Sequence, residues 1–119
     1  MGKEQYLTRS EQYASVYYNG SSWSNSLLVM KALPNRLTIS RFGFSVSRRV
    51  GGAVTRNRIR RLLREIMRQM PLQVGWDIIV IARTAAADAD YAELRSAITS
   101  LLSRANLLGK HEEACLNAN

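Results

Sequence analysis

Apolar residues recur along this chain with two different periods, and the switches between them predict its elements. Within residues 53–70 an apolar stripe runs through Ile59, Leu62, Leu63, Ile66, Met67 and Met70, at i, i+3, i+4, i+7, i+8 and i+11. This is the spacing of a helix with one face against a core. Gly51-Gly52 forms a turn ahead of it, and Pro71 and Gly75 end it. A second stripe (Tyr91, Leu94, Ile98, Leu101, Leu102, Ala105) follows Asp90, which stands three residues before Glu93 in the spacing of a capping box. A shorter helix runs from Ser10, its expected cap, to about Tyr18. It places Tyr13, Val16 and Tyr17 on one face, and Gly20 stops it.

Elsewhere the period is two. In residues 41–47, Phe42, Phe44 and Val46 fall on one face and Arg41, Gly43, Ser45 and Ser47 on the other. Leu37 and Ile39 are in the opposite phase, so a bulge or strand break is expected near Ser40. Residues 76–82 are mostly apolar and β-branched, the mark of a strand buried on both faces. Residues 27–31 read as a further strand, ended by Pro34-Asn35, and Gly20-Ser21-Ser22 as a turn. The order helix, two or three strands, helix, strand, helix predicts an α/β sandwich, with helices packed on a small mixed sheet. The strands at 42–47 and 76–82 would run parallel, with the 53–70 helix as their crossover. The 119 residues suffice for one domain, with a core over about 6–108 and a polar tail at 109–119.

Charge changes this picture at one place. The formal net charge is +8, and residues 41–68 hold nine arginines and one acid, Glu65, so that segment alone carries the excess. Five of these arginines lie within residues 55–65. On a helix, Arg56, Arg60, Arg64 and Arg68 climb one flank at i, i+4, i+8 and i+12, Arg58 leaves on the other, and Arg61 points away from the core. A solvated helix face normally mixes Glu among its cations. This one does not, and arginine's planar donor fork suits phosphate oxygens. A polyanion is the predicted partner, and nucleic acid fits better than a membrane surface because the apolar stripe lacks Trp and Phe. Tyr13 and Tyr17, one turn apart, are either core residues or a stacking platform for single-stranded nucleic acid.

Protein-based catalysis finds little support. The only histidine, His111, and the only cysteine, Cys115, both fall in the tail. One cysteine cannot make an internal disulfide, no apolar signal segment opens the chain, and no apolar run could span a bilayer. These features predict a cytoplasmic protein. Asp88 and Asp90 read as helix caps and Asp77 as a strand-start residue, which leaves no carboxylate cluster to hold metal ions. No Gly-Lys-Ser/Thr follows Gly51-Gly52, so that pair is a turn and not a phosphate loop.

Residues 44–65, Phe-Ser-Val-Ser-Arg-Arg-Val-Gly-Gly-Ala-Val-Thr-Arg-Asn-Arg-Ile-Arg-Arg-Leu-Leu-Arg-Glu, resemble the motif of the bacterial ribonuclease P protein subunit. The resemblance extends over about residues 6–108. It implies a helix, a mixed sheet and two further helices in the order αβββαβα, with a left-handed crossover against the usual rule. It also implies a role in a ribonucleoprotein endonuclease that removes the 5′ leader from precursor tRNA, whose RNA subunit holds the catalytic Mg²⁺. The implied partners are that RNA and precursor tRNA, with no membrane and no small-molecule substrate. On this resemblance Arg56, Asn57, Arg58, Arg60, Arg61, Arg64 and Arg68 would contact the RNA subunit. Tyr13, Tyr17, Lys31, Ser45, Ser47, Arg48 and Arg83 would lie at the leader cleft. Tyr stands at 13 where the family more often has Phe, and Lys31 where some relatives have an aromatic. The alternative is a general or ribosomal RNA-binding module with no processing role.

Overall fold

The computed structural model describes residues 6–109. In chain order these form α1 (Ser10–Asn19), β1 (Ser21–Ser24), β2 (Leu28–Pro34), β3 (Arg41–Ser45), α2 (Ala53–Gln69) and β4 (Trp76–Ala82). A 3-10 turn at Thr84–Asp88 then leads into α3 (Tyr91–Arg104). The sheet order is β1-β2-β4-β3. β1 and β2 form an antiparallel hairpin, β2 and β4 are antiparallel, and β3 and β4 are parallel with α2 as the crossover. The αβββαβα order and the mixed sheet are those expected from the sequence.

Each face of the sheet meets different helices. Leu28, Met30 and Ala32 of β2, Ile78, Val80 and Ala82 of β4, and Phe42 of β3 form the larger core. On it α2 buries Ile59, Leu63, Ile66 and Met67, and α3 buries Leu94, Ile98, Leu101 and Leu102. On the opposite face Ile79 packs with Leu7 and Val16, so α1 covers part of that side. β4 is buried from both directions, which explains its unbroken apolar run. The four buried side chains of α2 contribute at most roughly 6–12 kcal/mol by burial. Arginine pairs at i, i+4 on its outer side oppose this by only a few tenths of a kcal/mol each. Core burial therefore fixes the helix, and the like charge is carried at small cost.

Several local expectations change. Ser21–Ser24 is a strand, not a turn. It pairs in register with residues 29–32, and Trp23 packs against the core. Its three serines hid a pairing that only the neighbouring strand supplies. Near Ser40 the strand break, and not the bulge, is the outcome: residues 35–40 are a loop, in which Arg36 has φ 62°, and β3 starts at Arg41. Leu37 and Ile39 are exposed there, while Ser40 accepts from the Trp76 backbone N–H at 3.1 Å and anchors the loop to β4. Arg9, not Ser10, is the α1 cap residue. Gln12 closes that end, its Oε1 accepting from the N–H groups of Thr8 (2.8 Å) and Arg9 (3.0 Å). Asp90 caps α3 as expected, exchanging hydrogen bonds with Glu93. Asp88 instead ends the 3-10 turn, exposed. His111 and Cys115 lie outside the described residues.

Asp77 is more than a strand-start residue. Its carboxylate is buried and accepts from Arg41 Nε at 2.9 Å, Arg41 Nη2 at 2.7 Å and Asn35 Nδ2 at 2.8 Å. Arg41 and Asp77 are register partners on β3 and β4, so the pair locks the parallel strands and the 35–40 loop together. Hydrogen bonding to Asp77 raises the pKa of Arg41, against the smaller, opposite effect of burial.

Candidate nucleic-acid interface

Two surfaces emerge. The first is the outer side of α2. Arg61 and Arg68 are exposed and make no hydrogen bond or ion pair to a described residue. Asn57 is exposed and accepts from Arg60 Nη1 at 3.3 Å, while Arg60 Nη2 reaches the Val46 carbonyl at 3.4 Å. Arg56 Nε donates to the Gly51 carbonyl at 3.2 Å, which holds the turn against the helix start. The Arg64 guanidinium lies 5.9 Å from the centre of the Tyr6 ring, within cation–π range. Among the described residues the ion pairs are Arg9–Glu11 and Arg41–Asp77, so no α2 arginine is neutralised by a carboxylate. A rigid, unpaired row of guanidinium groups is an electrostatic footprint for phosphates.

Arg58 departs from its companions. Its Nη2 donates to the Ala87 carbonyl at 2.8 Å and its Nη1 to the Ala89 carbonyl at 3.3 Å. These carbonyls end the 3-10 turn that feeds α3, where backbone acceptors lack helical partners. Arg58 thus pins α2 to the start of α3, and its charge is spent inward.

The second surface is the part of the sheet that α1 leaves open. Register places Ser22, Lys31, Ile79 and Gly43 in one row across the strands, and Ser24, Val29, Ile81 and Ser45 in the next. Ile79 is sealed under α1, whereas Lys31, Val29, Ile81 and Ser45 are only half-buried. Tyr13 reaches from α1 across Gly43, where any Cβ would collide with the tyrosine ring. Its hydroxyl donates to the Leu7 carbonyl at 3.4 Å. Burial raises the Tyr13 pKa, opposed by a backbone hydrogen bond from Phe44, so the phenol stays neutral at working pH. Tyr17, one turn on, is 38% exposed. Together they line an open groove of about 620 Å³ with Ser10, Ala14 and Tyr18.

The remaining cleft candidates sit at the rims. Arg83 follows β4 in the same phase as Ile79 and Ile81, and its Nη1 donates to the Asn25 carbonyl at 3.0 Å. Ser47 and Arg48 are exposed in the turn closed by the Val50 N–H on the Ser47 carbonyl at 3.0 Å. That turn joins the open sheet face to α2, so Arg48 and its exposed neighbour Arg49 connect the two surfaces. Sequence reasoning passed over Arg49. The adjacent Arg48-Arg49 pair before a glycine turn was the available signal.

Among the described residues no three of His, Cys, Asp and Glu gather into a possible metal site. None of the described helices is long and apolar enough to cross a membrane.

The comparisons with known proteins agree with the fold. The sequence model of the Ribonuclease P family matches residues 1–106. The chain is 49% identical over 107 residues to the ribonuclease P protein component of Dehalococcoides mccartyi, covering 90% of this chain and 89% of that one. Its structure is similar to the RNase P protein of Thermotoga maritima, with TM-score 0.77, 30% identity and coverage of 83% of this chain and 96% of that one. It is also similar to the RNase P protein of Staphylococcus aureus, with TM-score 0.81, 29% identity and coverage of 88% and 98%. Matched in sequence and fold over most of its length, the chain belongs to the ribonuclease P protein family, as the protein component of a tRNA-processing ribonucleoprotein.

Proposed function

We propose that α2 docks the protein on the catalytic RNA of ribonuclease P and that the tyrosine groove with the open sheet face receives the 5′ leader of precursor tRNA. The observation that carries this reading is the row of α2 arginines without carboxylate partners, standing on a helix whose other face is fully packed. Phosphate binding needs such rigid cations. Leader binding needs exposed aromatic faces beside a cationic groove, which Tyr17, Tyr13, Lys31 and Arg83 supply. In this reading the RNA holds the Mg²⁺ and performs the cleavage, and the protein strengthens binding of the leader-bearing substrate.

Reconstitution tests it. The protein and RNA subunit together should cleave precursor tRNA at low Mg²⁺, where neither does so alone. A mixture that cleaves no better than the RNA by itself defeats the reading. Binding that ignores the leader, with no gain in cleavage, would mark a general RNA-binding module instead.

The structure divides the arginines, and salt dependence should reveal it. Arg61→Ala should weaken RNA-subunit binding and flatten the slope of log K against log salt by about 0.7–0.9, the loss of one phosphate contact. Arg58→Ala should lower stability by roughly 1–3 kcal/mol, because two part-buried carbonyls lose a charged donor, and leave that slope unchanged. Equal slopes for the two variants would put Arg58 on the RNA and refute its inward role.

A further inference from the structure

We propose that a pocket on the other flank of α1 from the tyrosine groove takes one unpaired nucleotide of an RNA partner. The inference rests on the RNA-binding reading above. The pocket has a volume of about 300 Å³ and is lined by Tyr6, Thr8, Arg9, Gln12, Leu37, Ile39 and Arg41. Gln12 and Tyr17 leave α1 on opposite flanks, with the buried Val16 between them. Thr8 lines both, so the pocket adjoins the groove assigned to the leader at the start of α1 but opens on the helix's other flank.

Its walls suit a base. Leu37 and Ile39 are 45% and 38% exposed, large apolar side chains that the core does not use. Their loop is held in place: Asn35 Oδ1 accepts from the Leu37 N–H at 2.8 Å. Asn35 Nδ2 and the Gly75 N–H donate to the Ile39 carbonyl at 3.2 and 3.1 Å. Tyr6 is fixed edge-on against Phe42, with ring centres 5.1 Å apart, and meets β3 through a single parallel bridge. The pocket thus has a preformed aromatic and apolar lining, which costs little to order on binding.

Beside the Tyr6 and Thr8 hydroxyls, its polar side chains offer donors. The Gln12 Oε1 is occupied by two backbone N–H groups, so its NH₂ is left to donate. Arg9 is exposed and its one ion-pair partner among the described residues is Glu11, itself exposed, at 3.8 Å. Arg41 gives Nε and Nη2 to Asp77, which neutralises the nearby carboxylate and leaves Nη1 without a partner among the described residues. Donors and cations around an apolar slot match the carbonyls of a nucleobase and the phosphate beside it. The same Tyr6 ring lies against Arg64. The pocket is therefore continuous with the basic helix around the β3 edge, and an RNA held on α2 can reach it.

The test uses the full chain with the RNA subunit, in two arms. One arm measures affinity for the RNA subunit. The other measures affinity of the reconstituted enzyme for leader-bearing against mature tRNA. Tyr6→Ala should weaken binding in one arm by roughly 5- to 150-fold, the range of one lost base stack, and Tyr6→Phe should stay within about twofold of wild type. The arm that responds identifies the source of the nucleotide. Leu37→Glu, on the exposed loop, should weaken the same arm with an unchanged Tm, which keeps the test valid if Tyr6→Ala also loosens the Phe42 contact. Wild-type affinities for both Tyr6→Ala and Leu37→Glu in both arms overturn the proposal. Failure of the underlying reading looks different, because the unmutated protein would then not stimulate cleavage.

Discussion

Replacing Asp77 with alanine is expected to lower the stability of the fold by about 3 kcal/mol, more than any surface change in α2. For a domain of this size that corresponds to a fall in Tm of roughly 15 °C. The size follows from what is left behind. Arg41 would lose two charge-assisted hydrogen bonds at 2.9 and 2.7 Å, and Asn35 would lose its 2.8 Å contact, in a place that water reaches poorly. The parallel β3–β4 pair and the 35–40 loop lose their common anchor together. Asp77→Asn should cost less, because one acceptor remains for Arg41 or Asn35. The double variant Arg41→Leu/Asp77→Leu should recover much of the loss, since removing both charges also removes the cost of burying them. Denaturant unfolding of the three variants checks this. If Asp77→Ala lies within 1 kcal/mol of wild type, the pair behaves as a surface ion pair and the anchoring role is wrong.

How much of this was legible in the sequence depends on the kind of signal. The α2 stripe could be read because Ile59, Leu63, Ile66 and Met67 face one core, and helical periodicity records a one-sided burial. β4 was legible for the opposite reason, since burial on both faces leaves an unbroken apolar run. β1 was not, because Ser21, Ser22 and Ser24 carry no pattern of their own, and only pairing with β2 makes them a strand. The arginine row announced a polyanion, but not which guanidinium groups turn outward. Arg58 and Arg61 are equivalent in composition. They separate only because Ala87 and Ala89, some 30 residues away, present carbonyls to one and not to the other. Asp77 looked like an ordinary strand-start residue because its partners, Arg41 and Asn35, are distant in sequence.

Tyr17→Ala is expected to weaken binding of leader-bearing tRNA by roughly 1–3 kcal/mol while leaving mature tRNA unaffected, because one stacking face is lost from the proposed leader groove. Tyr17 is a cleaner probe than Tyr13. It is exposed and takes part in no described hydrogen bond, so its truncation costs little stability. Tyr13 is fixed by the Leu7 carbonyl and by its seat on Gly43, so its truncation would disturb fold and groove together. Gly43 offers a second route to the same conclusion. In Gly43→Ala the new methyl occupies the space of the Tyr13 ring tip, and the tyrosine must swing away from β3. The ring then gives up its Leu7 carbonyl contact, so a fall in Tm should accompany the loss of leader affinity, and mature tRNA serves as the control for it. Paired binding measurements with leader-bearing and mature tRNA decide the matter. Losses of equal size on both substrates, in either variant, would remove the leader from this groove. A loss confined to the leader-bearing substrate in both variants, from changes on α1 and on β3, would place the leader between the helix and the sheet, where the open rows of Lys31 and Ser45 continue the path.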